Sequence, residues 1–157
     1  MCLVSKGGIC LNAVTDDIPC QGRIATGVKG MLVDAQDSVI FATQINGEGE
    51  IIIVTDKGLF KRVISSLIDP LSRGRKGVMI TDSKSNVLFA DYVTVPYTLA
   101  VIPDEGTVTE VETEELPIEP RPSRGKPLKK AGITTVKSVV SLKYKSEFPD
   151  GNVQMKL

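Results

Sequence analysis

Short apolar runs separated by polar turns recur along the chain, and the clearest set lies between residues 51 and 80. Ile51-Ile52-Ile53-Val54 is long enough for a buried strand and too short for a helix. Thr55-Asp56-Lys57-Gly58 supplies turn chemistry, and the β-rich run 59–64 completes a predicted hairpin. A loop then reaches Ser72-Arg73-Gly74-Arg75-Lys76-Gly77, after which Val78-Met79-Ile80 resumes a strand. Glycines let backbone N–H groups approach an anion, and the interleaved cations neutralise it. The pattern predicts a phosphate-binding loop mounted on a sheet.

The unit repeats. At a shift of about fifty residues, Cys2-Leu3-Val4-Ser5 falls on Ile52-Ile53-Val54-Thr55, Gly8 on Gly58, Arg23 on Arg73, and Gly27-Val28 on Gly77-Val78. Val39-Ile40-Phe41-Ala42, read as an inner strand, answers to Val87-Leu88-Phe89-Ala90. A third copy starts at Ala100-Val101-Ile102, places Asp104-Glu105-Gly106 on Asp56-Lys57-Gly58, and reaches Ser123-Arg124-Gly125-Lys126. Short strands and turns at this period predict propeller blades or an array. The expected repeats cover about 1–50, 51–97 and 98–148, with 149–157 as a tail in which Val153 to Leu157 could return as an edge strand. Helix is expected to be minor.

Val54-Thr55-Asp56-Lys57-Gly58 followed by Lys61-Arg62, then Ser72-Arg73-Gly74-Arg75-Lys76-Gly77-Val78, resembles one blade of the C-terminal domain of the bacterial DNA gyrase and topoisomerase IV A subunits. The resemblance extends over nearly the whole chain and weakens in the third copy. It implies an all-β fold of propeller-like β-pinwheel repeats, here about three antiparallel blades in a partial or open disc, whose basic rim binds and bends DNA. It also implies that the chain begins inside a blade. The family's gyrase box, QRRGGKG, has only blade-loop versions here, Gln21-Gly22-Arg23 and residues 72–77, which points to a topoisomerase IV-like or degenerate relative.

Composition supports the β reading and narrows the chemistry. Fourteen glycines, nine prolines and abundant Val, Ile and Thr favour strands and turns, and the lack of Trp makes the expected core aliphatic. No apolar run approaches membrane-spanning length, and Lys6, Gly7 and Gly8 interrupt the first apolar stretch, so a soluble, cytoplasmic, nucleoid-associated chain is expected. With no histidine, Ser-His-Asp and Cys-His catalysis and the common zinc hydrolase sites are excluded, and no Walker loop occurs. Tyr92 and Tyr144 lie in predicted strands and Tyr97 in a link, unlike a topoisomerase cleavage tyrosine. Cys2, Cys10 and Cys20 lack metal-ligand spacing; Cys2 and Cys10 could face one another across the first hairpin and are expected as reduced thiols. No enzyme activity, catalytic residue, cofactor or metal is expected.

Charge locates the candidate interface. Lys57, Lys61, Arg62, Arg73, Arg75 and Lys76 of the second copy face a single acid, Asp69, within their span. Arg23 and Lys29 of the first copy and Arg124, Lys126, Lys129 and Lys130 of the third are expected to extend the path. The third copy departs where Glu105, Thr109 and Glu110 replace Lys57, Lys61 and Arg62, and Glu110, Glu112 and Glu114 are expected along one strand face, directed away from DNA.

The expected function is non-catalytic, sequence-independent binding and bending of duplex DNA through phosphates, with a topoisomerase catalytic core as a further partner if the chain is a fragment. A formal net charge of zero and a sequence pI near 6.3 support the alternative, a protein-interaction or assembly module. Apolar leading strands and exposed blade edges also predict a homodimer or a covering C-terminal segment.

Overall fold

The computed structural model describes residues 1–45, 48–82, 84–128 and 132–143. Within these described residues, twelve strands form three antiparallel-dominated sheets. The first is centred on β1 (Cys2–Ser5), flanked by β2 (Ile9–Ala13) and β3 (Val39–Thr43). The second is centred on β4 (Glu50–Thr55), between β5 (Leu59–Ile64) and β8 (Val87–Val93). The third places β9 (Thr98–Pro103) between β10 (Thr109–Glu112) and β12 (Val136–Ser141). β8 lies against both β3 and β12, so these three are the inner strands of the array. Three 3-10 turns are the only helical pieces among the described residues, and none of these is long and apolar enough to cross a membrane.

The repeat predicted from residue types reappears in hydrogen bonds. Ser5 Oγ accepts from the Ile9 N–H and Thr55 Oγ1 from the Leu59 N–H, each at 3.2 Å. The Gly8 N–H donates to Ser5 O and the Gly58 N–H to Thr55 O, at 3.0 and 3.1 Å. The register slips at the same place in both sheets, between Val4 and Ser5 and between Val54 and Thr55.

The uninterrupted apolar run of β4 has a packing reason. Successive side chains on a strand point to opposite faces. Ile51 and Ile53 face a cluster with Cys2, Val4, Cys10, Val63, Ile68 and Ile80, whereas Ile52 and Val54 face one with Phe60, Leu99, Val101, Val111 and Leu116. The middle sheet is thus buried on both sides, each Ile contributing about 1.5–3 kcal/mol of burial free energy. Cys2 and Cys10 are buried free thiols with sulfurs 3.5 Å apart, and the hydrogen bond to Cys2, together with burial, pushes the Cys10 thiol up.

The outer edges of the first two sheets are completed by the following repeat. β6 (Pro70–Leu71) runs parallel to β2, and β7 (Val78–Met79) runs antiparallel to it with Val78 opposite Cys10. β11 (Lys126–Pro127) pairs with β5, with Lys126 opposite Phe60, while Ile118 bridges Arg62 in parallel. The acidic strand is shorter than its alternation predicts. β10 ends at Glu112, and Thr113–Glu115 turns as a 3-10 piece that removes Glu114 from the strand face. The expected edge strand from Val153 to Leu157 lies outside the described residues.

Candidate nucleic-acid interface

Strand exchange separates two groups of cations that the sequence places together. The loop 72–77 leaves its own repeat and seats on the first sheet, whereas the hairpin bearing Lys57, Lys61 and Arg62 receives the loop of the third repeat. Gly77 makes the first seating possible. Its φ is 89°, and a Cβ there would lie 2.3 Å from the carbonyl oxygen of Cys10, so only glycine fits against the strand.

Lys61 and Arg62 require correction as phosphate contacts. Lys61 is 1 % exposed, and its ammonium donates to the carbonyls of Ser123 at 2.7 Å and Pro120 at 3.3 Å. It fastens the third repeat's loop, and burial lowers its pKa to about 8. The Arg62 guanidinium donates to Leu116 O at 2.8 Å, to Glu114 O at 3.0 Å and to the Glu50 carboxylate at 2.7 Å. Both cations satisfy acceptors that docking of the next repeat would otherwise leave unpaired.

The loops 22–32 and 72–77 meet in a basic ridge. The Gly74 N–H donates to Gly30 O at 2.7 Å, the Leu32 N–H to Arg75 O at 2.9 Å, and the Arg73 guanidinium to Lys29 O at 3.3 Å and Asp17 O at 2.9 Å. Lys29, Arg73 and Arg75 are thereby brought together, with Lys29 and Arg75 exposed; Arg23 is exposed on the same first-repeat loop. Arg124 of the third repeat meets Asp82 of the second at 3.5 Å, which ties the third-repeat loop to the second repeat. Lys57 is exposed at the hairpin turn, where its ammonium donates to Lys84 O. Lys129 and Lys130 lie outside the described residues.

Acids that sequence reasoning left unassigned modulate the ridge. Asp34 pairs with Lys76 at 2.8 Å and Glu119 with Lys126 at 2.7 Å. The Lys84 backbone N–H, with Arg124 nearby, holds the Asp82 carboxyl below its usual range, and Lys126 does the same for Glu119. All three cations keep half or more of their side-chain surface exposed, so these are screened surface pairs that an incoming phosphate can replace. No sequence spacing announces the pairs of Asp34 with Lys76 and of Asp82 with Arg124, because each joins residues of different repeats. No cluster of His, Cys, Asp or Glu able to hold a metal occurs among the described residues.

The family described as the DNA gyrase C-terminal domain, a beta-propeller, matches residues 1–46 and 49–85, just over half of the chain. The gyrase A protein of Klebsiella oxytoca is 30% identical over 126 residues, covering 78% of this chain and 14% of that protein. Its counterpart in Staphylococcus epidermidis is 29% identical over 116 residues, covering 71% of this chain and 13% of its own length. The chain therefore spans about a seventh of the length of these relatives. Among solved structures, the C-terminal domain of DNA topoisomerase IV superposes with a TM-score of 0.79 at 20% identity, over 92% of this chain and 46% of that one. The DNA gyrase A C-terminal domain gives 0.74 at 19%, over 89% and 49%. These likenesses establish the fold as a propeller-like β-pinwheel.

Proposed function

From the premise that the chain belongs to the DNA gyrase C-terminal domain family, we propose that it is a non-catalytic module that binds and bends duplex DNA without reading sequence. The observation that supports this reading is the contact between the loops 22–32 and 72–77, which brings the exposed Lys29 and Arg75 together beside the half-buried Arg73. Arg23 and Lys76 flank the ridge, and Arg124 and Lys126 extend it. A row of cations without a base-reading helix or ribbon favours phosphate contacts over groove recognition. Curving a short duplex along such a rim costs about 1–6 kcal/mol, offset by the added phosphate contacts. In a longer polypeptide the module would present DNA to a topoisomerase cleavage core in the bacterial cytoplasm.

Fluorescence anisotropy of a labelled duplex across a salt series tests the proposal. Each phosphate contact adds roughly −0.9 to the slope of log affinity against log salt. Combining Lys29→Ala with Arg75→Ala is expected to flatten the slope by about two units and weaken all sequences alike. Glu112→Ala is the control and should leave the slope unchanged. A parent protein with no affinity at about 50 mM salt, or a double variant that binds as the parent does, would overturn the DNA reading. The zero formal net charge and the acids paired to Lys76, Arg124 and Lys126 favour an assembly module in that event.

A further inference from the structure

Two blades receive a loop from the following repeat, and the geometry of the donor and acceptor repeats a third time with the two halves apart. Each donor starts at a 3-10 turn, Thr15–Asp17, Ser65–Leu67 or Thr113–Glu115, followed by an aliphatic residue. Ile68 and Leu116 are 2 % and 1 % exposed in the interfaces between sheets, whereas Ile18 is 38 % exposed. Each donor then reaches a glycine of nearly the same φ: 88° at Gly27, 89° at Gly77 and 87° at Gly125. A Cβ at Gly77 or Gly125 would collide with a carbonyl oxygen, of Cys10 or of Phe60; at Gly27 it meets nothing within 4 Å. The first loop thus holds the backbone conformation of close approach to a strand, and no strand is there among the described residues.

The matching acceptor is at the other end of the array. β2 carries β6 and β7, β5 carries β11, and β10 ends its sheet among the described residues. The residue of the third repeat aligned with Cys10 and Phe60 is Val108. Those two are fully buried beneath Val78 and Lys126; Val108 is 54 % exposed. Charge matches as well: the donor loop brings Arg23 and Lys29, and the acceptor side carries Glu105, Glu112 and Glu114.

We infer that a second copy of this chain joins the first head to tail: the loop 18–28 of each copy seats on the β10 edge of the other, with Val28 antiparallel to Val108. The two joints form together in a twofold dimer. The joint differs from the internal ones at one point. Asn12 and Arg62 donate to the carbonyls of Ile68 and Leu116, and the aligned acceptor residue is Glu110, which as a carboxylate cannot donate.

The test is directed cross-linking of the 157-residue chain, with Cys20→Ser removing the exposed thiol. One preparation carries Val28→Cys and another Val108→Cys. Oxidation of the mixture is expected to give a covalent dimer that neither preparation gives alone, and sedimentation of the parent to give twice the monomer mass. Ile18→Asp, a change at an exposed residue, should abolish both while leaving far-ultraviolet circular dichroism unchanged. A parent that stays monomeric at every concentration overturns the inference. So does a dimer that neither cross-links in the mixture nor responds to Ile18→Asp. DNA affinity plays no part in the readout, so the result stands apart from the proposed function.

Discussion

The hairpin cations Lys61 and Arg62 and the loop cations Arg75 and Lys76 come from one repeat and look equally suited to phosphate, yet they sit in opposite surroundings. The hairpin pair meets the backbone of the incoming third repeat and is consumed by carbonyls and the Glu50 carboxylate. The loop pair is carried outward on β7 and remains at the surface, held there by backbone contacts to residues 30 and 32. A cation beside an element that another segment must cover serves the covering. A cation between glycines on a loop that does the covering is left for solvent or ligand. The two groups should respond differently to every perturbation.

The strongest test removes the fit that carries the loop out. Gly77→Val adds a Cβ at a left-handed φ, where it would lie 2.3 Å from the Cys10 carbonyl oxygen. A loss on the order of 3 kcal/mol or more is expected in chemical denaturation. Gly74→Ala, whose nearest neighbour beyond the adjoining residues is Lys29 O at 3.7 Å, should cost only about 1–2 kcal/mol from its positive φ. Equal losses at the two glycines would break the assignment of Gly77 as the seating point.

Arg62→Ala comes next. It leaves the Glu50 carboxylate and the carbonyls of Glu114 and Leu116 without their donor, and with side chains only 16% and 25% exposed the pair is poorly compensated by water. A destabilisation of about 2–3 kcal/mol is expected, with no change in the salt slope of DNA binding. Arg75→Ala should do the reverse, shifting stability by less than about 0.5 kcal/mol while flattening the slope by roughly 0.9.

Much of the fold was legible because β structure writes itself locally: the run 51–54, the turn at 55–58 and their copies near residues 2–8 and 100–106 each specify a hairpin. The exchange of loops between blades was not legible. Nothing in Ser72-Arg73-Gly74-Arg75-Lys76-Gly77 says which sheet it seats on, and pairing with β5 of its own repeat satisfies the same local preferences. The error at Lys61 follows from this, since its burial depends on residues 120–123 arriving from the next repeat. Alternation along 108–114 overextended the acidic strand for a similar reason: the turn at Thr113–Glu115 is fixed by Leu116 entering the interface behind it.

Lys61 also gives the comparison a pH signature. Its folded pKa, about 8, lies below the ordinary lysine value of about 10.4. Below about pH 8 both folded and unfolded chains hold the proton, and the full burial cost is present. Between about 8 and 10 the unfolded chain binds more protons than the folded one, so stability rises with pH by up to about 1.4 kcal/mol per unit. Lys61→Met should flatten this rise in urea midpoints taken across the window.

The smallest expected change in stability concerns the surface ion pair at the edge of the ridge. Lys76 and Asp34 meet at 2.8 Å with side chains 51% and 74% exposed, so solvent and salt screen their attraction. Asp34→Asn should therefore alter stability by less than about 0.5 kcal/mol. Its effect on binding has the opposite character from that of Arg62→Ala. Removing the carboxylate frees Lys76 from its direct ion pair before it meets a phosphate, with only the more distant Asp37 remaining nearby, and takes away a like charge from the approaching backbone. Affinity should rise for all sequences alike, and the salt slope should steepen by up to roughly 0.9 if Lys76 gains one contact. An unchanged slope together with unchanged affinity would place Lys76 off the DNA path and confine the ridge to Lys29, Arg73 and Arg75.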